Sequence, residues 1–323
     1  MSVSNDSTAE VLLIHQQMFQ FTLTVGSISK VICAILMSVF FTYLNAIMVY
    51  TLCTKPVFKE SPRYILFKHM LLNDSIQLIV TSLLYFLGVA YLKLVVAACA
   101  FLVLVSSTTF RNAPLNLALM SVERYVAISF PLRHAEIATQ KRTYIAIGII
   151  WCMGLLHFLI DLLYVLITDP NFFFVSEIFC TRERLFIKQW QLDVYQGFNI
   201  FYFVSVSVII LFTYIRILIT ARSISSNKDS AVKAHKTVLL HIIQLGLCLT
   251  SFLYSFIERA AAMASTSSSL FVDIRYLNYL FVLILPRCLS PLIYGLRDDA
   301  VRPLFIYYFR CATGKRKSTV NVH

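Results

Sequence analysis

The sequence predicts an all-α membrane protein, a bundle of seven transmembrane helices followed by a short amphipathic eighth helix. Three observations point there. Of 323 residues, 59% are hydrophobic and 14% charged, with a mean hydropathy of +0.76, so there is too little charge to cover a water-facing surface. Apolar runs of at least ~18 residues recur along the chain, each long enough to cross a hydrocarbon layer of about 30 Å. The charged residues gather in short segments between those runs.

In order, the spans are expected at residues 27–53, 64–90, 97–122, 143–167, 194–220, 236–261 and 270–295. Residues 1–26 then form an N-terminal segment, 27–295 one transmembrane domain, and 296–323 the amphipathic helix and tail. The first 20 residues lack a basic start, an apolar run and a small-residue cleavage site, so the first span is expected to act as the insertion signal.

A net charge of +12 invites a nucleic-acid reading, but its placement removes the need for one. Lys55, Lys59, Arg63 and Lys68 lie in or beside the first connection, and Arg124, Arg133, Lys141 and Arg142 in or beside the third. Arg216, Arg222, Lys228, Lys233 and Lys236 flank the fifth, and Arg297, Arg302, Arg310, Lys315, Arg316 and Lys317 belong to the tail. All of these fall on one side, which the positive-inside rule makes cytoplasmic, with the N-terminus outside. Asn5-Asp6-Ser7 is then a glycosylation sequon on the exposed side, whereas Asn73-Asp74-Ser75 lies within the second span and is a chance match.

The most specific words close the third span: Ser121-Val-Glu123-Arg124-Tyr125-Val-Ala-Ile-Ser-Phe-Pro131-Leu132-Arg133-His134, 25 residues beyond Cys99 at Arg124. Asn45 stands in the first span, Leu71-Leu72-Asn73-Asp74 in the second and Trp151 in the fourth. The fifth ends Thr213-Tyr214-Ile215-Arg216-Ile217, and the sixth opens Lys233-Ala234-His235-Lys236-Thr237-Val238-Leu239-Leu240-His241. The seventh ends Leu285-Pro286-Arg287-Cys288-Leu289-Ser290-Pro291-Leu292-Ile293-Tyr294-Gly295-Leu296-Arg297-Asp298. In this order the words resemble the odorant receptors of the rhodopsin-like (class A) G-protein-coupled receptor family, in a fish-type form. Glu123 and Ser290 stand where that family more often carries Asp and Asn.

The resemblance implies a receptor for a small-molecule odorant that activates a heterotrimeric G protein of the stimulatory, olfactory class and raises cyclic AMP. It implies a multi-pass plasma-membrane protein in contact with lipid, without enzymatic activity, metal or cofactor. Arg124, freed from Glu123 as the sixth span moves outward, would expose a groove for the G protein, with Tyr125, Tyr214, His241 and Tyr294 at the same mouth. Tyr214 and Tyr294 also read as interfacial aromatics. Only Cys99 and Cys180 fall at the outer face, which suggests one disulfide, and the family carries this bridge. A non-olfactory class A receptor and a seven-span carrier or channel are the alternatives. No internal repeat supports the latter.

Asp74 and Arg287 sit at matching depth, with Asn45 and Ser290 completing an intramembrane polar core. In the family the corresponding carboxylate helps to bind sodium. Here Arg287 either replaces that ion as a built-in cation or points elsewhere. Arg111, three turns outward of Arg124, either anchors a polar group of the ligand or neutralises Asp161. Resemblance places Ser106, Phe110, Phe198, Asn199, Tyr202, Phe252 and Tyr279 around the ligand, an aromatic wall with few polar groups. Ser106 stands where amine receptors carry Asp, which argues against an amine ligand. The sixth span has no proline, so a bend there centres on Gly246 or spreads over several turns, or else Gly246 is a close-packing site. Cys311, after the basic and aromatic stretch from Arg302 to Phe309 and beside Lys315-Arg316-Lys317, is either a palmitoylation site or a free thiol.

Overall fold

The structure, a computed structural model, describes residues 25–90, 92–180, 182–185, 188–224, 268–295, 298 and 300–312, with isolated positions between 246 and 261. Asn5, His241 and Phe252 lie outside the described residues, as do the side chains of Tyr294 and Cys311.

The first span is α1 (Val25–Thr54). A short α2 (Pro56–Glu60) makes the connection, and α3 (Pro62–Val89) is the second span. Each of these two helices opens with a proline in its first turn, where no intrahelical partner for the amide is needed and the fixed φ already suits the helix. The third span, α4 (Val96–Ser129), continues seven residues past its expected end at 122, so Glu123-Arg124-Tyr125 occupies a helical turn rather than a helix end. Bilayer thickness limits the apolar stretch, not the helix, which runs on into the polar layer. Beyond it lie a short 3-10 turn (Pro131–Arg133) and α5 (His134–Ile137).

Thr139 caps the fourth span, α6 (Gln140–Thr168), by accepting the Arg142 amide at 3.3 Å. Asp169 caps α7 (Pro170–Val175) in the same way, from the Phe172 amide at 2.9 Å. The fifth span, α8 (Gln189–Ile224), outruns its expected limits at both ends. The seventh is one helical run in three parts: α9 (Ser268–Asn278), a π-helical segment (Tyr279–Ile284) and α10 (Leu285–Gly295). The helix α11 (Arg302–Ala312) ends the described chain. Among the described residues, four helices are long and apolar enough to cross a membrane, and α6 adds a fifth as a bent pair. Large apolar side chains such as Phe201, Phe212, Ile145 and Leu36 lie on their outer faces, more than half exposed, as lipid rather than water requires.

The all-α expectation needs one addition. Lys93–Val95 (β1) pairs antiparallel with Glu177–Phe179 (β2), Leu94 opposite Ile178. The Cys99–Cys180 disulfide, with Cα atoms 5.3 Å apart, fastens this ribbon to the first turn of α4. Around it Val96, Val103, Phe158, Phe173 and Ile178 form an apolar cluster. A second cluster at the far end of the bundle joins α1, α3 and α4 to α11 through Leu52, Leu66, Met70, Leu117, Val301 and Phe305. The two clusters cap a polar middle.

Candidate functional site

At the disulfide end, α4 and α8 bring together Arg111, Phe198, Asn199 and Tyr202. Arg111 is buried, its Nη2 donates to Asn199 Oδ1 at 3.3 Å, and its guanidinium stands 5.2 Å from the centre of the Tyr195 ring. Phe198 stacks on Tyr202, whose hydroxyl donates to the Met153 carbonyl at 2.7 Å. Asp161 accepts from Gln191 Nε2 at 3.4 Å. Ser106 and Phe110 are half-buried on α4. Tyr279 is placed differently from that group. It stacks flat on Tyr85 with ring centres 4.7 Å apart, its hydroxyl lies 3.4 Å from Ser82 Oγ, and it packs with Ala34 and Leu78 against the first and second spans.

In the middle of the bundle, Asp74, Arg287 and Ser290 line one small cavity with Met70, Ala113, Leu117 and Pro286. Asp74 is 2% and Arg287 1% exposed. Arg287 and Asp74 face this cavity together, with Ser290 beside them. The carboxylate lining this cavity thus shares it with a guanidinium, in a low-dielectric setting. Beside it, Asn45 Nδ2 donates to Ser75 Oγ at 3.2 Å and Asn73 Nδ2 to the Thr109 carbonyl at 2.9 Å. Asn73 is fully buried, so its sequon is beyond the reach of glycosylation.

At the opposite end from the disulfide, the Glu123 carboxylate is divided between two partners. Its Oε2 lies 3.9 Å from Arg124 Nε and its Oε1 3.2 Å from His134 Nε2. Tyr125 makes edge contacts with Phe130 and Phe212. Thr213 Oγ1 donates to Ser121 Oγ at 3.2 Å, tying α8 to α4 one residue before the half-buried Tyr214. Among the described residues no group of three His, Cys, Asp or Glu side chains could hold a metal.

The sequence pattern and this geometry agree with what comparison with known proteins finds. Residues 44–294 match the model of the 7 transmembrane receptor (rhodopsin family). Odorant receptor 131-2 of Danio rerio is 33% identical over 274 residues, 83% of this chain and 82% of the relative. The chain belongs to the odorant receptors of the rhodopsin-like family. Olfactory receptor-like protein OLF4 of Canis lupus familiaris is 26% identical over 60% of the chain and 62% of its own length. Olfactory receptor-like protein COR6 of Gallus gallus is 24% identical over 75% and 78%. The receptor is therefore a multi-pass membrane protein of a ligand-binding, G-protein-coupled family, and not an enzyme.

Several residues of this odorant receptor that the sequence reading left without a role are placed by the structure. His134 shares Glu123 with Arg124; only its position in the quoted phrase pointed to it. Asp298 accepts Arg63 at 2.7 Å and the Tyr64 hydroxyl at 3.3 Å, and also takes the Ala300 amide at 3.0 Å. It joins the start of the second span to the start of α11. Trp151 Nε1 donates to His69 Nε2 at 2.9 Å, which leaves the His69 proton on Nδ1 to be donated to Asn116 Oδ1, 3.1 Å away. Asn116 in turn donates to the Leu66 carbonyl, completing a polar link between α6, α3 and α4. Pro114 sits inside α4, where no helix-breaking residue had been weighed.

Gly154 lets α6 approach α4. A Cβ there would stand 2.5 Å from Asn112 Oδ1 and 3.1 Å from Thr108 Cγ2. Gly154→Val should force the two helices apart at a cost of about 1–3 kcal/mol. A fall in melting temperature and surface level of the receptor would register it, and an unchanged melting temperature would mean that the contact is not close.

Proposed function

We propose that the receptor binds a small, partly apolar odorant among the third, fifth, sixth and seventh spans and activates a stimulatory, olfactory-type G protein that raises cyclic AMP. The N-terminus, with Asn5 available for glycosylation, lies outside the cell, and the Arg124 end and tail lie in the cytoplasm. Cys311 is a palmitoylation site that supplements the basic tail on the inner leaflet. The observation that carries the reading is the Glu123–Arg124–His134 group at the opposite end of the bundle from the disulfide, in a chain of this family. About 37 Å of helix, at 1.5 Å per residue, separates Cys99 from Arg124, so a ligand near the one can reach a partner near the other only through movement of the spans.

The pocket wall of Ser106, Phe110, Phe198, Asn199, Tyr202 and Phe252 offers shape and one or two hydrogen bonds rather than charge pairing to an amine. Tyr279 contributes from the side of the second span. A panel of odorants tested on cells carrying the receptor and a cyclic AMP reporter decides the matter. A response to neutral or acidic odorants that vanishes without the stimulatory G protein is expected. Arg124→Ala should leave surface level near that of the parent and abolish the response, since Arg124 stands at the mouth and not in the pocket. An undiminished response at equal surface level would remove Arg124 from the switch.

A further inference from the structure

The half of α6 nearest the disulfide has two faces. Phe158, Asp161 and Val165, spaced three and four residues apart, are buried, and Phe158 and Val165 belong to the apolar cluster around the Cys99–Cys180 bridge. Ile160, Leu163 and Ile167, at the same spacings on the other side, are exposed, Ile167 to 77%, and form the lipid-facing stripe of this span. Beyond the turn at Asp169, α7 continues the division. Phe173 is buried in the same cluster as Phe158 and Val165, whereas Phe174 is 60% and Val175 74% exposed. No Lys, Arg or His occurs from residue 158 to residue 181, and between Asp169 and Glu177 the chain carries no charge at all. Apolar side chains scattered singly over a surface need no explanation, but these two adjoin each other and follow directly on a face given to lipid.

We propose that α7 is an interfacial helix, seated on the bilayer at the disulfide end of the bundle with Phe174 and Val175 among the first methylenes of the lipid chains. On the orientation proposed above this is the outer leaflet. The inner sides of α6 and α7 back onto one cluster, so their exposed sides continue one surface, and lipid already covers the α6 part of it. The backbone suits that depth, since hydrocarbon offers a bare amide no partner. Asp169 accepts the Phe172 amide through its side chain at 2.9 Å and the Phe173 amide through its carbonyl at 3.1 Å, and the Ser176 amide returns to the Phe172 carbonyl at 3.3 Å. With no basic residue in the segment, its attraction to a membrane is apolar rather than electrostatic, and the partner that fits is a zwitterionic phospholipid such as phosphatidylcholine. The seat also steadies the ribbon. The Ser176 carbonyl accepts the Val96 amide at 3.0 Å, and β2 begins at the next residue, Glu177.

The test places a fluorophore on that surface. Phe174→Trp and Val175→Trp are made separately in the full-length receptor, each is reconstituted in phosphatidylcholine nanodiscs, and the emission is compared with that of the parent. The added indole should be quenched several-fold more by phosphatidylcholine brominated near the headgroup end of its chains than by iodide in the water, and less by lipid brominated at the chain ends. The lipid quenching should be the same at low and high salt, because no charge pairing holds the seat. Quenching by iodide at least as strong as that by brominated lipid overturns the proposal, since α7 then faces water. Quenching by neither overturns it too, since a second copy of the receptor or another segment of the chain then covers the patch. If neither variant can be purified, the unmodified receptor is photolabelled with a phosphatidylcholine that carries a diazirine near the headgroup end of its chain. Label on the peptide spanning residues 170–176 is expected, and its absence there refutes the seat.

Discussion

Asp74→Asn and Arg287→Leu, made singly, should each sharply reduce delivery of the receptor to the cell surface, and made together should restore part of it. Both groups are at least 98% buried and line one cavity, so removing either charge leaves the other in a medium that solvates it poorly. Stranding one member of a buried pair costs about 3–5 kcal/mol, a large share of the stability of an ordinary domain, whereas replacing both by uncharged groups costs much less. Sodium should have little effect on ligand affinity in the parent, since Arg287 already supplies the positive charge. Strictly additive damage in the double variant, together with clear sodium sensitivity of the parent, would show that the two charges do not act on each other.

Loss of the disulfide should be comparably severe. Cys99→Ala or Cys180→Ala opens a link between residues 81 apart, and closing a loop of that length is worth about 4–5 kcal/mol in chain entropy. The link also anchors the β1–β2 ribbon against the head of α4, so its loss frees that ribbon. Surface level and odorant response should both collapse. Recovery of both cysteines as free thiols from unreduced, functional receptor would refute the role given to the bridge.

The expected spans agree with the observed helices to within a few residues for the first, second, fourth and seventh, because a bilayer imposes its thickness on apolar runs of this length. The third and fifth run further than expected. Their extensions pass through charged residues, Glu123-Arg124 in the third and Arg222 in the fifth, and charge marks the edge of the hydrocarbon without ending a helix whose amides remain paired. The depth of Asp74 and Arg287 was equally legible by counting residues along the spans, and the cysteine pair was legible because both fall at the outer face and the family carries that bridge.

Facing was not legible. Tyr279 packs toward the second span rather than toward Arg111, and only the packed bundle fixes that rotation. Nor could the sequence show that Asp298 is bound to Arg63, since 235 positions of chain separate them and neither residue has a periodic neighbour that would mark the contact. Gly154 stood unremarked for the same reason. A glycine in a span signals close approach only when its opposite wall is known.

The Asp298 contact has a practical consequence for receptor engineering. Its carboxylate accepts the amides of Ala300 and Val301 as well as Arg63 and Tyr64, so the start of α11 is built on a residue that the second span holds in place. A graft that exchanges the C-terminal segment between receptors can be cut just after the seventh span or beyond α11. Here a cut at 295 would import a foreign junction and leave Arg63 facing it without its carboxylate, whereas a cut after Ala312 carries the native junction intact. The interchangeable part of this receptor's tail begins beyond α11, and everything before it travels with the second span.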